Sequence, residues 1–140
     1  MSTGYFFEDL RIGQTASIGK TITEADILMF SAVSMDTNPL HLDAEAASQT
    51  IFGERIAHGM LSASLISALL GTRLPGPGSI YMRQSLRFAA PVKIGATVKA
   101  TVEVVSLNPD KKRATLKTTC TVGDEVVIEG EAYVQVPSRT

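Results

Sequence analysis

From residue 80 to residue 136 the apolar residues recur at every second position, and this alternation constrains the chain more than any other feature. Ile80, Met82, Leu86 and Phe88 share one face, with Arg83, Ser85 and Arg87 opposite. Val98, Ala100, Val102 and Val104 alternate with Thr97, Lys99, Thr101 and Glu103. Ala114, Leu116, Thr118, Cys120 and Val122 repeat the pattern, and Val126, Ile128, Ala132, Val134 and Val136 complete it. A period of two places each run in an antiparallel sheet with one buried face. The stretches Asn108-Pro-Asp-Lys-Lys and Gly123-Asp124 supply turns. A further strand is expected around Thr15 to Thr21.

The first half has a helical period instead. Thr23 with Asp26 three residues on forms a capping-box variant. The helix it opens runs through Ile27, Leu28, Phe30 and Val33 and stops near Asp36, because Asn38-Pro39 does not continue it. Asp43 caps a short helix from Ala44 to Gln49, with Gly53 past its end. Gly59 to Thr72 forms a longer helix. Its leucines, Ile66, Ala63 and Ala68 spread apolar character nearly all round, so it is expected to be buried on most sides. Leu74-Pro-Gly-Pro-Gly78 is a loop. The expected fold class is therefore α+β, a curved antiparallel sheet wrapped around a central buried helix, in one domain over residues 1–140. So one-sided a sheet with few strands completes its burial by pairing edges in a dimer.

Composition removes several function classes. Hydrophobic residues make up 44% of the chain, too many for wholesale disorder. A formal net charge of -1 leaves no broad basic face for nucleic acid. One cysteine, Cys120, allows neither an intrachain disulfide nor a cysteine metal site, and fits a reduced, cytoplasmic setting. The first ten residues lack the basic-then-apolar pattern of a secretory signal. The most apolar stretch, Met60 to Leu70, is shorter than the roughly 20 residues of a membrane span.

Chemistry concentrates in Ser34-Met-Asp-Thr-Asn-Pro-Leu-His-Leu-Asp43, which carries one of only two histidines and two carboxylates. Asp36 falls at the C-terminal end of a helix, where carbonyls point and an anion is disfavoured. The Asn38-Pro39 turn brings His41 back toward Asp36. An Asp and a His flanking a tight turn can share a water, take its proton and deliver another. Asp43 reads as a helix cap. A metal held by Asp36, His41, Asp43 and His58 has suitable ligand types but no His-x3-His pair, and none is expected. The second feature is Ala57-His-Gly-Met60 at the start of the long helix. Amides left open at the positive end of that helix could hold a carbonyl as it becomes enolate-like. The plainer reading makes Gly59 a tight entry turn and His58 a packed or capping residue. Ser67 lies on the same helix, where a buried serine usually bonds a carbonyl one turn back.

These residues resemble a known family. Asp36-x-Asn38-Pro39-Leu40-His41, with Ala47 six residues beyond His41, resembles the signature of the (R)-specific enoyl-CoA hydratases, the MaoC-like branch of hotdog-fold proteins. Ile56-Ala-His58-Gly59-Met60-Leu, Leu69-Leu-Gly-x-x-Leu74-Pro-Gly, Gly78-Ser-Ile80-Tyr81 and Gln84-Ser-Leu-x-Phe88-x-x-Pro91-Val are similar to the small polyhydroxyalkanoate-linked hydratases. The resemblance covers nearly the whole chain. It implies reversible hydration of trans-2-enoyl-CoA to (R)-3-hydroxyacyl-CoA, without metal or redox cofactor, by a homodimer. Asp36 and His41 would activate the water, and the Gly59 amide would stabilise the thioester enolate. Ser67, Asn38 and His58 would line or shape the substrate site. The family usually has Gly directly before the catalytic Asp, where this chain has Met35. If that Gly serves a close approach to the acyl chain, Met35 reshapes the pocket.

Two other classes compete. A hotdog acyl-CoA thioesterase tends to use a lone acidic residue on or near the central helix, and none lies between His58 and Thr72. A non-catalytic acyl-thioester binding protein would have a degraded Asp-His pair, which this chain retains.

Overall fold

A computed structural model describes residues 4–140. Among the described residues the order begins with a single 3-10 turn, Phe7–Asp9, and strand β1, Thr15–Thr21. Four helices follow: α1, Glu24–Ser34; α2, Pro39–Leu42; α3, Ala44–Ser48; and α4, Gly59–Thr72. The second half is all strand: β2, Ile80–Gln84; β3, Arg87–Phe88; β4, Thr97–Asn108; β5, Arg113–Val122; and β6, Glu125–Gln135.

The strands form one antiparallel sheet in the order β1-β4-β5-β6-β2, with β3 also on β6. Its inner face carries Val98, Ala100, Val102 and Val104 of β4, all fully buried, beside Ala114, Leu116 and Cys120 of β5. Burying one Val or Leu fully contributes about 1.5–3 kcal/mol. Helix α4 lies against this face, touching β1, β2, β4, β5 and β6 and burying Leu61, Leu65, Ile66, Leu69 and Leu70. This is the hotdog fold: a curved sheet around one central helix. Among the described residues no helix is long and apolar enough to cross a membrane. Cys120 is sealed in the core, where burial pushes its thiol up to about 11. That suits packing rather than reactivity.

Three local departures from the sequence expectations have clear causes. Residues 80–88 are not one half-buried strand. β2 is the sheet edge, its register shifts between Tyr81 and Arg83, and Ile80, Met82 and Phe88 are exposed. Ser85 then folds across β6 at Gly130, where a side-chain Cβ would overlap the Ser85 carbonyl. In β6 a bulge opposite Cys120 and Thr121 changes the phase, so Val127 faces the core and Val126 is turned out. And α4 is not buried on most sides in this chain, since Ser64, Ser67 and Ala68 form an exposed stripe.

The segment leading to the site is built by caps. Thr23 Oγ1 accepts from the Asp26 amide at 3.2 Å, and Asp26 accepts in return from the Thr23 amide at 2.9 Å. α1 ends at Ser34 because Met35 takes the left-handed conformation, φ 66. Asn38-Pro39 is not a simple reversal. Asn38 Oδ1 caps the Leu40 amide at 3.0 Å and Pro39 starts α2, a position where its missing N–H is no loss. Asp43 then caps α3 by accepting from the Glu45 and Ala46 amides, both at 3.0 Å.

Candidate active site

The α1–α2 connection and the start of α4 meet at a cleft of about 390 Å³. Its walls are mostly apolar, with Phe52, Ile56, Phe88, Val92 and Ile128 among them. Asp36, His58, Gly59 and Ser62 give it a polar corner.

His41 is fixed there by backbone. Its Nδ1 lies 2.7 Å from the Ile56 carbonyl, which only accepts. Nδ1 therefore carries the proton in the neutral ring, and Nε2 presents a lone pair. Arg55 holds the same residue from behind, donating Nε–H to the His41 carbonyl at 2.7 Å while pairing with Glu24 at 2.8 Å. His41 is buried and its ring is stacked on that of His58, with centroids 3.9 Å apart.

Asp36 is exposed at the cleft's edge, two residues past the end of α1. Its Oδ1 accepts from the Asn38 amide at 3.3 Å, and its own amide donates to Ser34 Oγ at 3.1 Å. Its carboxylate, a nitrogen of His41 and a nitrogen of His58 all lie within 4.8 Å of one another. Asp36 and His41 form no direct hydrogen bond among the described residues.

His58, the residue before α4, is the fastener. Its Nε2 donates to the Asp36 carbonyl at 3.0 Å, with Ser31 Oγ beside it at 3.1 Å. The ring thus ties the Asp36 loop to the N-terminus of α4. With Nε2 protonated, Nδ1 is an acceptor, and it is buried without a partner. Gly59 opens α4, so its N–H has no acceptor within the helix. Phe88 crosses over it so closely that a Cβ on Gly59 would sit 2.6 Å from the ring.

Of the six residues singled out in the sequence, Asp36, His58 and Gly59 line the cleft, and His41 stacks on His58 behind them with a ring nitrogen within 4.8 Å of the Asp36 carboxylate. Asn38 shapes the turn through its cap without lining the cleft. Ser67 is elsewhere, on the exposed stripe of α4. Ser62 lines the cleft instead, fully buried with its hydroxyl unpartnered. Neither Ser31 nor Arg55 was visible as a site residue in the sequence, because each acts through a contact across at least 14 positions in the chain. Met35 does not line the cleft; its side chain is 84% exposed. The backbone gives the physical reason for a glycine there, since φ 66 is the region glycine enters without strain.

The MaoC like domain matches residues 11–128. The chain belongs to the MaoC-like family. It is 62% identical over 135 residues to the (R)-specific enoyl-CoA hydratase of Rhodospirillum rubrum, covering 96% of this chain and 94% of that one. It is 49% identical to the (R)-specific enoyl-CoA hydratase of Aeromonas caviae, covering 93% and 98%. The solved (R)-hydratase of A. caviae, titled as involved in PHA biosynthesis, superposes with a TM-score of 0.90 at 48% identity, covering 93% of this chain and 99% of that one. This MaoC-like chain thus matches such relatives over almost their whole length.

Proposed function

We propose that this MaoC-like chain is a hydro-lyase that adds water reversibly to trans-2-enoyl-CoA, giving (R)-3-hydroxyacyl-CoA. The observation that carries the reading is the tautomer of His41. The Ile56 carbonyl claims Nδ1–H, which leaves the lone pair to Nε2, and the Asp36 carboxylate lies within 4.8 Å of a nitrogen of the same ring.

The groups divide the work as follows. Asp36 and His41 hold the water between them and take its proton as its oxygen bonds C3 of the enoyl chain. The electron pair of the C2–C3 double bond moves toward the thioester, whose oxygen becomes negative. The Gly59 N–H, at the positive end of α4, is placed to stabilise that oxygen. The captured proton is then delivered to C2, which restores the thioester and leaves both carboxylate and imidazole as they began. The apolar walls around Phe52, Phe88 and Val92 receive the acyl chain. No metal or redox partner enters this sequence of steps.

The same reading includes a homodimer in a cytoplasmic setting. Its support is the edge strand β2, where Ile80, Tyr81 and Met82 are 60%, 42% and 44% exposed on a strand paired on one side only.

The test is loss of enoyl absorbance when the purified protein meets crotonyl-CoA, with an (R)-specific dehydrogenase reading product chirality. Rapid loss with (R) product supports the reading. Release of free thiol without hydration would make the chain a thioesterase. Silence with both short and long enoyl chains would make it a binding protein.

A further inference from the structure

Ser62 departs from the other hydroxyls of its helix. A serine or threonine inside a helix ordinarily donates to a carbonyl one turn back. Ser64 and Thr72 of α4 do so, to the Leu61 and Ala68 carbonyls, both at 2.6 Å. Ser62 is fully buried, and its hydroxyl has no hydrogen-bond partner among the described residues. A buried donor in that state is costly unless something supplies an acceptor. The proposed hydration gives it no task, since the water belongs to Asp36 and His41 and the thioester oxygen to Gly59.

The position of Ser62 in the cleft points to what could pair with it. Asp36, Gly59, Met60 and Phe88 line the cleft and are exposed, whereas Ser62 and Ile128 line it and are buried. The cleft therefore deepens along α4 from Gly59 toward Ser62. Three helical residues separate the two, a rise of about 4.5 Å. That matches the reach from a thioester oxygen to the fourth carbon of an extended enoyl chain. Side chains on a helix lean toward its N-terminus, so the Ser62 hydroxyl leans back toward the turn that Gly59 opens. Of the buried lining residues only His58 and Ser62 are polar, and no hydrogen bond joins them. The rest of the buried end is hydrocarbon, from Ile56, Ala57, Val92 and Ile128.

We propose that Ser62 is a specificity-determining residue, selecting enoyl-CoA whose acyl chain carries an oxygen on its fourth carbon over hydrocarbon chains of the same size. The inference rests on the hydratase reading and extends it to the acyl group. A hydrocarbon chain entering the cleft covers the hydroxyl and leaves it unpaired. It also strips away any water that pairs with the hydroxyl beforehand, without replacing the bond. An oxygen on the chain accepts from Ser62 and restores it. A site with a buried polar group of this kind discriminates against the analogue that lacks the matching group.

The experiment compares kcat/KM for 4-hydroxy-trans-2-butenoyl-CoA and trans-2-pentenoyl-CoA, which has a methyl group where the first has its hydroxyl. Wild type, Ser62→Ala and Ser62→Cys are assayed with both. Alanine favours the helix, so the fold is kept. Cysteine fills the space but donates only weakly, which separates loss of the donor from loss of volume. Wild type should hydrate the hydroxy substrate at least as efficiently as pentenoyl-CoA. In Ser62→Ala the ratio of the two kcat/KM values should fall about tenfold, the effect of one lost hydrogen bond, and Ser62→Cys should follow it. An unchanged ratio overturns the proposal and leaves Ser62 turned back onto its own helix. An equal loss with both substrates also overturns it, since the hydroxyl then only supports the cleft. If wild type hydrates neither substrate, the hydratase reading fails, and calorimetric binding of 4-hydroxybutanoyl-CoA against pentanoyl-CoA decides the role of Ser62. A preference for the hydroxy compound that Ser62→Ala abolishes supports selection by Ser62. No preference, or no binding of either, overturns it.

Discussion

Replacing Met35 by glycine should stabilise the protein. Met35 ends α1 at φ 66, in the left-handed region. That conformation costs a residue with a Cβ about 1–2 kcal/mol, and glycine does not bear the cost. Glycine also has more freedom in the unfolded chain, which returns about 0.5–1 kcal/mol of the gain. The methionine side chain is 84% exposed, so its removal leaves no cavity and forfeits little burial. The balance is a gain of about 0.5–1 kcal/mol. For a chain of this length that raises Tm by about 2–4 °C. Urea unfolding followed by circular dichroism should show a higher midpoint with the same slope. Met35→Ala supplies the control, since alanine keeps the Cβ and should gain nothing. If Met35→Gly fails to raise the midpoint, or Met35→Ala raises it equally, backbone strain at this position is not the reason a glycine suits it.

Four further outcomes are expected. Gly130→Ala should destabilise by about 3 kcal/mol or more, because its methyl meets the Ser85 carbonyl rather than a movable side chain. Gly19→Ala, whose nearest neighbour would be 3.9 Å away, should unfold at the wild-type urea concentration. Gly59→Ala should lower hydration of crotonyl-CoA by pressing on Phe88, whose ring would lie 2.6 Å from the new methyl. Adding Phe88→Ala should restore part of the rate, and no recovery in the double variant would show that the ring is not the cause. Acid should weaken the fold through Asp26. The Thr23 amide and then Lys20 hold its carboxyl below the ordinary range. A lowered folded-state pKa gives stability that is complete above the unfolded value near about 4 and lost as pH falls through the folded value. A Tm-against-pH series should therefore fall less steeply below pH 4 in Asp26→Asn than in wild type.

The residues that made the fold legible were those with a local rule. Thr23 and Asp26 announce a helix start, Asp43 a cap, and Val98 to Val104 a one-sided strand, because each signal is complete within a few residues. Residues 80–88 misled because their alternation is genuine while their place at the sheet edge depends on β6 and on Gly130, some 45 positions away. Val126 and Val127 exchanged roles for a similar reason, since a bulge is a property of two paired strands. In the candidate site, Asp36 and His41 were visible because five positions and a capped proline keep them close. The fastening of Asp36 by His58 was not, since a histidine ring reaching a carbonyl 22 residues away leaves no spacing to read. Ser67 entered the candidate site through the resemblance, and in this fold it lies on the exposed stripe of α4. Helical geometry separates the two by more than a third of a turn, and it is Ser62 that faces the cleft.

The central claim is that Asp36 and His41 together activate water, and Asp36→Asn tests it most directly. Asparagine keeps the side-chain oxygen that accepts from the Asn38 amide. It removes only the charge and the ability to take a proton. Hydration of crotonyl-CoA should fall by about 10²–10⁴-fold in kcat, the range for losing a general base, while Tm and apparent mass stay at their wild-type values. A variant that hydrates crotonyl-CoA at the wild-type rate would contradict the claim.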